Sequence, residues 1–324
     1  MDRVLVTGAG GFVGQAVVKE LLKVPGIEVV ATCHGKGQEL EKLSSAPNYS
    51  VIAEVDLTEY KNLERLPGDL TRAIHVAANP RFQGVSKKEL FRVNVGSTAH
   101  LIRHIHATSG KTFRRFLFTS TIGVHDRAAF SKITSPIREN SPFHPTSSYG
   151  QSKLACENYI NQSHLPGVIA RLSWIYGPAM RSDSHIRVLG EMASRQNWVS
   201  KIGWPGRVTA GFIDDVAKAI AGLALKEHLS QSIYFVGHSD PVSFGEIFSL
   251  YHQFAGRSVR PYFPASILKS FKWMSRFFPM KIRSLMEDYY VCNVNPLTKE
   301  NLQLVTPFPD GLRRSVEEGK WFKN

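Results

Sequence analysis

Tyr149-Gly150-Gln151-Ser152-Lys153 sets a phenol and an ammonium four residues apart, a spacing that places both on one face of a helix. A cation close to a phenol stabilises the phenolate and lowers its pKa toward neutrality. A tyrosine of that kind can exchange a proton with a substrate near pH 7. Upstream, a strand-like run ends in Phe118-Thr119-Ser120-Thr121, whose hydroxyls fall where open α/β sheets bind ligands. Near the start of the chain, Thr7-Gly8-Ala9-Gly10-Gly11-Phe12-Val13-Gly14 follows a first strand-like run and opens a helical pattern. Its Gly8, Gly11 and Gly14 are a variant of the dinucleotide fingerprint. Gly8 allows a tight turn, Gly11 lets a pyrophosphate approach the helix N-terminus, and Gly14 lets the helix pack closely.

A dinucleotide site commonly carries an acid at the end of the second strand, where it holds the ribose hydroxyls. Here that stretch is Val29-Val30-Ala31-Thr32-Cys33-His34-Gly35-Lys36, with no acid before Glu39. His34 and Lys36 offer positive charge instead, which suits the 2′-phosphate of NADP and favours it over NAD. The plain alternative is that both are solvated loop residues.

The elements that must position these groups alternate. Arg3–Val6, Ile27–Cys33, Ser50–Leu57, Ala73–Ala78, Phe113–Ser120, Val168–Ile175 and Ser232–Val236 read as strands. Phe12–Val24, Leu90–Ala107, Tyr149–Gln162 and Asp214–Leu225 read as helices. Such alternation predicts an α/β fold, a Rossmann-type doubly wound parallel sheet with helices on both faces. The dinucleotide-binding domain is expected over 1–175, with about 207–238 returning to it. A smaller, mostly helical substrate lobe is expected over 176–324.

Composition bounds the rest. A chain of 324 residues with 43% hydrophobic and 21% charged residues is an ordinary globular protein, not a disordered, collagenous or disulfide-stapled one. No apolar run reaches the length of a membrane span, and the N-terminus lacks a secretory pattern, which points to the cytoplasm. Cys33, Cys156 and Cys292 are far apart and odd in number, as expected of free thiols in a reducing compartment. His100, His104 and His106 have no carboxylate or thiolate placed beside them, and no metal site is expected.

The net charge of +13 favours an anionic partner: nucleic acid, an anionic membrane or a phosphorylated cofactor. Nucleic acid is disfavoured because the basic residues are scattered rather than set among aromatics in a known module. Ala265–Leu285 mixes Ile267, Leu268, Phe271, Trp273, Met274, Phe277 and Phe278 with Lys269, Lys272, Arg276, Lys281 and Arg283, and Pro279 interrupts any single helix. This segment could lie on an anionic bilayer. The preferred reading is that its apolar face covers the substrate cleft.

With these motifs in order, the whole chain resembles the extended short-chain dehydrogenase/reductase superfamily, the NAD-dependent epimerase/dehydratase family. Thr7 to Gly14 is similar to its cofactor loop. Asp56-Leu57-Thr58 is similar to the segment that contacts the adenine, and Ile74-His75-Val76-Ala77-Ala78 to the strand beneath the cofactor. Asn94-Val95-Gly96-Ser97-Thr98, Ser141 to Tyr149, Tyr176-Gly177-Pro178, Phe212 to Ala217 and Gly311-Leu312-Arg313 also have counterparts.

The resemblance implies roles. Tyr149 would exchange the proton, Lys153 would lower its pKa and hold the nicotinamide ribose, and Thr121 would hydrogen-bond the substrate oxygen. Asn94 would order water or the helix beneath the site, or simply pack as a helix amide. The cofactor would meet Gly8, Gly11, Phe12, Val13, Gly14, His34, Lys36, Asp56, Leu57, Ala77, Ala78, Thr119, Tyr149, Lys153 and Ile175. The substrate pocket would include Asn79, Thr121, Trp174 and His125, the last in place of a common tyrosine.

Two reactions share this machinery. Sugar-nucleotide members often carry asparagine after the sixth strand, whereas Arg171-Leu172-Ser173-Trp174-Ile175 presents an apolar wall. The favoured expectation is therefore an oxidoreductase moving hydride between NADP and a secondary alcohol or ketone. The alternative is a nucleotide-sugar epimerase or dehydratase with tightly held NAD. A non-enzymatic sensor or nucleic-acid binder is a third reading, opposed by the intact Tyr149–Lys153 pair. Small-molecule substrate and a homodimer are the partners the resemblance implies.

Overall fold

Val4, Leu5 and Val6 are fully buried, because the strand that carries them is covered on both faces. In the computed structural model, residues 2–43, 45–80, 84–125, 136–271, 275, 277–291 and 296–321 are described. Six strands, β1 (Asp2–Thr7), β2 (Ile27–Thr32), β3 (Tyr49–Ile52), β4 (Arg72–His75), β5 (Arg115–Thr121) and β6 (Gly167–Leu172), come in chain order. Short strands β7 (Trp174–Tyr176), β8 (Arg207–Val208) and β9 (Ala210–Phe212) follow, then β10 (Ile233–Val236) and β11 (Val242–Ser243).

Among the described residues seven strands form one parallel sheet in the order β10-β6-β5-β4-β1-β2-β3. The order reverses at β1, where the chain first winds outward to β3 and then returns through β4. That switch point opens a crevice at the carboxyl ends of β1 and β4. The Rossmann-type expectation is met.

Alternation along β1 divides the core. Val4 and Val6 pack with Val17, Val18 and Leu21 of helix Phe12–Leu21 and with Val216 and Ile220 of helix Ile213–Leu225. Leu5 faces the opposite layer, with Leu101 and Ile105 of helix Ser97–Thr108 and Cys156 and Ile160 of helix Ser148–Gln162. Strand β10 returns to this sheet beside β6. A separate cluster gathers Ile186, Leu189, Trp204, Phe244, Phe248, Tyr251 and Leu312 from the later chain.

Three expected elements are interrupted. The run 50–57 is a strand only to Ile52, and Glu54 then adopts φ 56° to turn the chain. The run 168–175 changes sheets at Ser173, whose N–H and hydroxyl both donate to the Val236 carbonyl. β7 then pairs with β9. The helix expected at 90–107 contains a π-helical turn at Arg92–Gly96.

Cys33 and Cys156 are free, buried thiols, whereas Cys292 lies outside the described residues. The segment 265–285 forms helices Ala265–Ser270 and Met280–Met286. Lys272, Trp273, Met274 and Arg276 are outside the described residues. None of the described residues of this segment lines the cleft, so the expectation that it covers the substrate is corrected. Leu268 and Ile282 pack on the later-chain core, which leaves Ile267 and Phe271 turned to solvent. No helix among the described residues is long and apolar enough to cross a membrane.

Candidate active site

The glycine loop is built around one close approach. Gly8 adopts φ +66°, and a Cβ there would lie 2.6 Å from the Ala77 backbone. At Gly14 a Cβ would stand 2.2 Å from the Gly8 carbonyl, so the helix can enter only without a side chain. Gly11 caps Phe12–Leu21 with no side-chain hydrogen bond. The first N–H groups of that helix therefore face the crevice as an anion site.

The crevice widens into a cleft of about 1490 Å³. It is lined by Gly8, Gly11, Phe12, Val13, His34, Lys36, Asp56, Leu57, Ala77, Ala78, Asn79, Thr119, Thr121, Tyr149, Lys153, Trp174 and Ile175. Gly14 lies behind the loop and acts through packing.

At the far end of the cleft, Asp56 accepts from the backbone N–H and hydroxyl of Thr58, at 2.9 and 2.8 Å. Burial raises the Asp56 pKa, but these bonds and the His34 and Arg92 charges outweigh it and hold the carboxyl below its ordinary value. His34 Nε2 stands 3.8 Å from Asp56. An acid therefore stands at this end of the cleft, carried by the chain after β3 rather than after β2.

At the other end, Ser147 caps helix Ser148–Gln162 by accepting from the Gly150 N–H at 3.0 Å, which places Tyr149 in the first turn. Gly150 has no room for a Cβ, which would lie 2.7 Å from the Gly123 carbonyl. Lys153, one turn on, is almost wholly buried. Its ammonium lies 4.2 Å from the Phe118 ring centre and 6.0 Å from that of Tyr149. Burial brings the Lys153 pKa down to about 8, against the opposing pull of Cys156 and Glu157. Burial, helped by Cys156, pushes the Tyr149 phenol above its ordinary value. The expectation of a phenol drawn toward neutrality is therefore corrected for the ligand-free chain, where desolvation outweighs the nearby cation.

Ser120 and Thr121 end β5, but only one hydroxyl is free for a ligand. Ser120 donates to the buried Glu157 carboxylate. Thr121 accepts from the Gly123 N–H at 3.1 Å and lines the cleft, so its own proton can reach a substrate oxygen.

Two expected site residues lie elsewhere. Asn94 is buried off the cleft: its side-chain oxygen accepts from the Asn79 N–H and its amide donates to Ser152, both at 2.8 Å. It ties the floor of the cleft to the Tyr149 helix and cannot touch substrate. His125 is wholly buried, stacked on Phe143 at 5.1 Å and 2.9 Å from Arg171 Nη1. It is not part of the substrate pocket.

Sequence reasoning missed the layer beneath the site. Arg171 donates from Nη2 to Glu157 at 2.7 Å with both side chains out of solvent. His75, wholly buried, bridges Thr7 and Thr98 at 2.6 and 3.1 Å. Burial first, then Lys153, brings its pKa down to about 3, so it is neutral. An Arg and a His inside otherwise apolar strands were the available signals. Met180, Arg181, His185 and Tyr289 were missed as cleft walls because later-chain loops carry no periodic signal. Trp174 stacks on His185 at 4.5 Å.

The donor set fits a nicotinamide dinucleotide. The Gly8 and Gly14 cradle admits a phosphate, and the Lys153 side chain, almost wholly buried, lines the same cleft.

Comparison with known proteins agrees. The family model described as "NAD dependent epimerase/dehydratase family" matches residues 4–237. The chain is 26% identical over 279 residues to the uncharacterized UDP-glucose epimerase YtcB of Bacillus subtilis, covering 82% of this chain and 86% of that protein. It is 23% identical to the dTDP-glucose 4,6-dehydratase of Neisseria gonorrhoeae, covering 73% of each. The UDP-glucuronic acid 4-epimerase of Bacillus cereus, solved with UDP-glucuronic acid and NAD, superposes with a TM-score of 0.75 at 21% identity, covering 98% of this chain and 99% of that one. The Thermus thermophilus UDP-glucose 4-epimerase, solved with NAD, gives 0.72 at 22% identity, with 98% and 99% covered.

Proposed function

This chain belongs to the NAD-dependent epimerase/dehydratase family, and on that premise we propose that it is a nucleotide-sugar epimerase holding NAD through its catalytic cycle. One observation carries the reading: Thr121, Tyr149 and the buried Lys153 converge on the cleft that the glycine loop opens. The reading replaces the favoured expectation of a secondary-alcohol oxidoreductase, because the relatives named above act on nucleotide sugars.

Epimerase is preferred to dehydratase on chemical grounds. Elimination of water needs an acid beside the residue that holds the sugar oxygen. Thr121 is followed by Ile122 and Gly123, and among the described residues the carboxylates lining the cleft are Glu39, Asp56, Glu89 and Asp183. Glu39 and Asp56 follow β2 and β3, Glu89 pairs with Arg92, and Asp183 pairs with Arg181.

When bound, the nicotinamide would accept hydride from a sugar carbon and return it. Tyr149 takes the proton of the hydroxyl on that carbon and gives it back in the reverse step. Thr121 donates to the same oxygen, which fixes the carbon relative to Tyr149. Lys153 holds ribose hydroxyls, and its charge favours the phenolate. Inversion requires the ketone to turn over before hydride returns, so the cleft must hold the nucleotide while leaving the sugar free to rotate. We assign 1–175 with about 207–238 to cofactor binding, and the later lobe, through Met180, Arg181, His185 and Tyr289, to the sugar nucleotide.

NAD is preferred to NADP because His34 stands beside Asp56 and Glu39 lines the same end of the cleft, so a 2′-phosphate would face two carboxylates. The exposed His34 and Lys36 favour the second reading, exchangeable NADP in an oxidoreductase with an apolar Trp174–Ile175 wall. A homodimer is part of the proposal on family grounds, and a reducing compartment on the free thiols Cys33 and Cys156.

Mass spectrometry of the cofactor released from purified chain tests the assignment. Retained NAD is expected. A chain that purifies empty and binds NADPH more tightly than NADH would favour the second reading.

A further inference from the structure

Between Glu246 and Glu287 the sequence holds seven Lys or Arg and no Asp or Glu. The same stretch holds an unusual set of solvent-facing rings and branched chains. Tyr262, Phe263, Ile267, Phe271, Phe277 and Phe278 are exposed, from 43% at Phe278 to 68% at Phe277. Isolated exposed apolar side chains are ordinary, but a concentration of six within seventeen residues is a surface with a use.

The stretch is anchored to the folded lobe, so the exposure is not that of a loose tail. The Gly203 N–H donates to the Phe263 carbonyl at 2.9 Å, the Tyr262 N–H to the Lys201 carbonyl at 2.9 Å, and the Gly206 N–H to the Leu285 carbonyl at 3.0 Å. Helix Ala265–Ser270 presses Leu268 onto the lobe core and turns Ile267 outward, with Phe271 just past its end, one turn on. Trp198, also exposed, precedes Lys201 in the turn that receives Tyr262.

We propose that this face docks on an anionic lipid bilayer surface. Arg260 and Lys269 are exposed cations on the same stretch as the rings, and Arg257 donates to the Ala193 and Ser194 carbonyls, so its charge is not neutralised. Arg283 alone among the described cations of the stretch is paired, to Glu287 at 2.7 Å. Basic side chains reaching headgroups while aromatic rings enter the acyl boundary is the chemistry of interfacial binding. A second copy of this chain is a poor occupant: a two-fold contact would bring an acid-free cationic stretch against itself. None of the described residues of the segment lines the cleft, so docking leaves the cleft accessible and accounts for part of the +13 charge that the cofactor site does not absorb.

The test is sedimentation of the full chain with vesicles of phosphatidylcholine alone or with about one third phosphatidylglycerol. Binding to the anionic vesicles at low salt should exceed binding to neutral ones by at least about tenfold and fall as salt screens the charge. Phe277→Ser with Phe278→Ser, and separately Arg260→Glu with Lys269→Glu, should each weaken it about tenfold or more while epimerase activity in solution is unchanged. If a variant misfolds, hydrogen exchange on the unaltered chain reads the same surface: amides of 262–271 should gain protection with anionic vesicles only. Equal binding to both vesicles, no binding at low salt, or light scattering that shows the Phe277/Phe278 variant turning a dimer into a monomer would overturn the proposal.

Discussion

The Lys153 ammonium rests 4.2 Å from the centre of the Phe118 ring, closer than to the Tyr149 ring at 6.0 Å. Burial lowers the lysine to about 8, so it still carries its charge near pH 7, and raises the tyrosine, so the phenol keeps its proton there. Cofactor hydroxyls held by Lys153 are expected to bring the phenol down. A tyrosinate difference titration between the chain and Tyr149→Phe should show Tyr149 ionising later than ordinary tyrosine without NAD and earlier with it. Identical curves in both conditions would contradict this.

The Lys153 shift has a stability consequence with a definite sign. Between about pH 8 and 10.5 the unfolded lysine keeps a proton that the folded one has lost, so stability from this group rises with pH across that window. Above pH 10 the raised Tyr149 pKa works the other way, because the folded phenol keeps a proton the unfolded one gives up. Urea unfolding of ligand-free chain should show the midpoint climbing from pH 8 toward 10 relative to Lys153→Met, in which the climb is absent.

Glu157 joins the Tyr149 helix to β6 through Arg171 and to β5 through Ser120. Removing one partner leaves a buried charge unpaired, which costs about 3–5 kcal/mol. Arg171→Met should lower stability by that order, and Arg171→Met with Glu157→Leu should recover much of it. Thermal unfolding of the two variants decides; a double variant no more stable than the single one would mean the pair acts as more than mutual neutralisation.

Gly14→Ala places a Cβ against the Gly8 carbonyl and Ala9. The helix must retreat from the loop, and NAD affinity should fall by about tenfold or more while Gly26→Ala, at an open position with positive φ, lowers stability without that specific loss. Fluorescence titration with NADH measures both.

Much of the fold was legible because buried parallel strands are apolar runs and their crossover helices keep a 3.6-residue period. The glycine loop, Thr121, Tyr149 and Lys153 were legible because chemistry fixes residue types at fixed spacing. His125 was misread because a position beside a motif says nothing of which way its side chain turns; here Arg171, Phe143 and Phe235 hold it in the core. Asn94, in a π-helical turn that local sequence does not announce, bonds Asn79 and Ser152 and so orders the helix beneath the site rather than touching substrate. Trp174 and Ile175 weighed toward an oxidoreductase, whereas the relatives named above are epimerases and dehydratases; an apolar wall does not specify whether hydride leaves with the cofactor or returns to the same substrate.

That return is the central claim, and isotope tracing tests it. UDP-glucose and related UDP-sugars carrying deuterium at C4 should be converted by purified chain, without added cofactor, to C4 epimers that keep the deuterium, as followed by NMR. Tyr149→Phe should slow this by about a hundredfold to ten-thousandfold while retaining NAD. Appearance of deuterium in free NADH or NADPH with a ketone left in solution, and no epimer, would contradict the account.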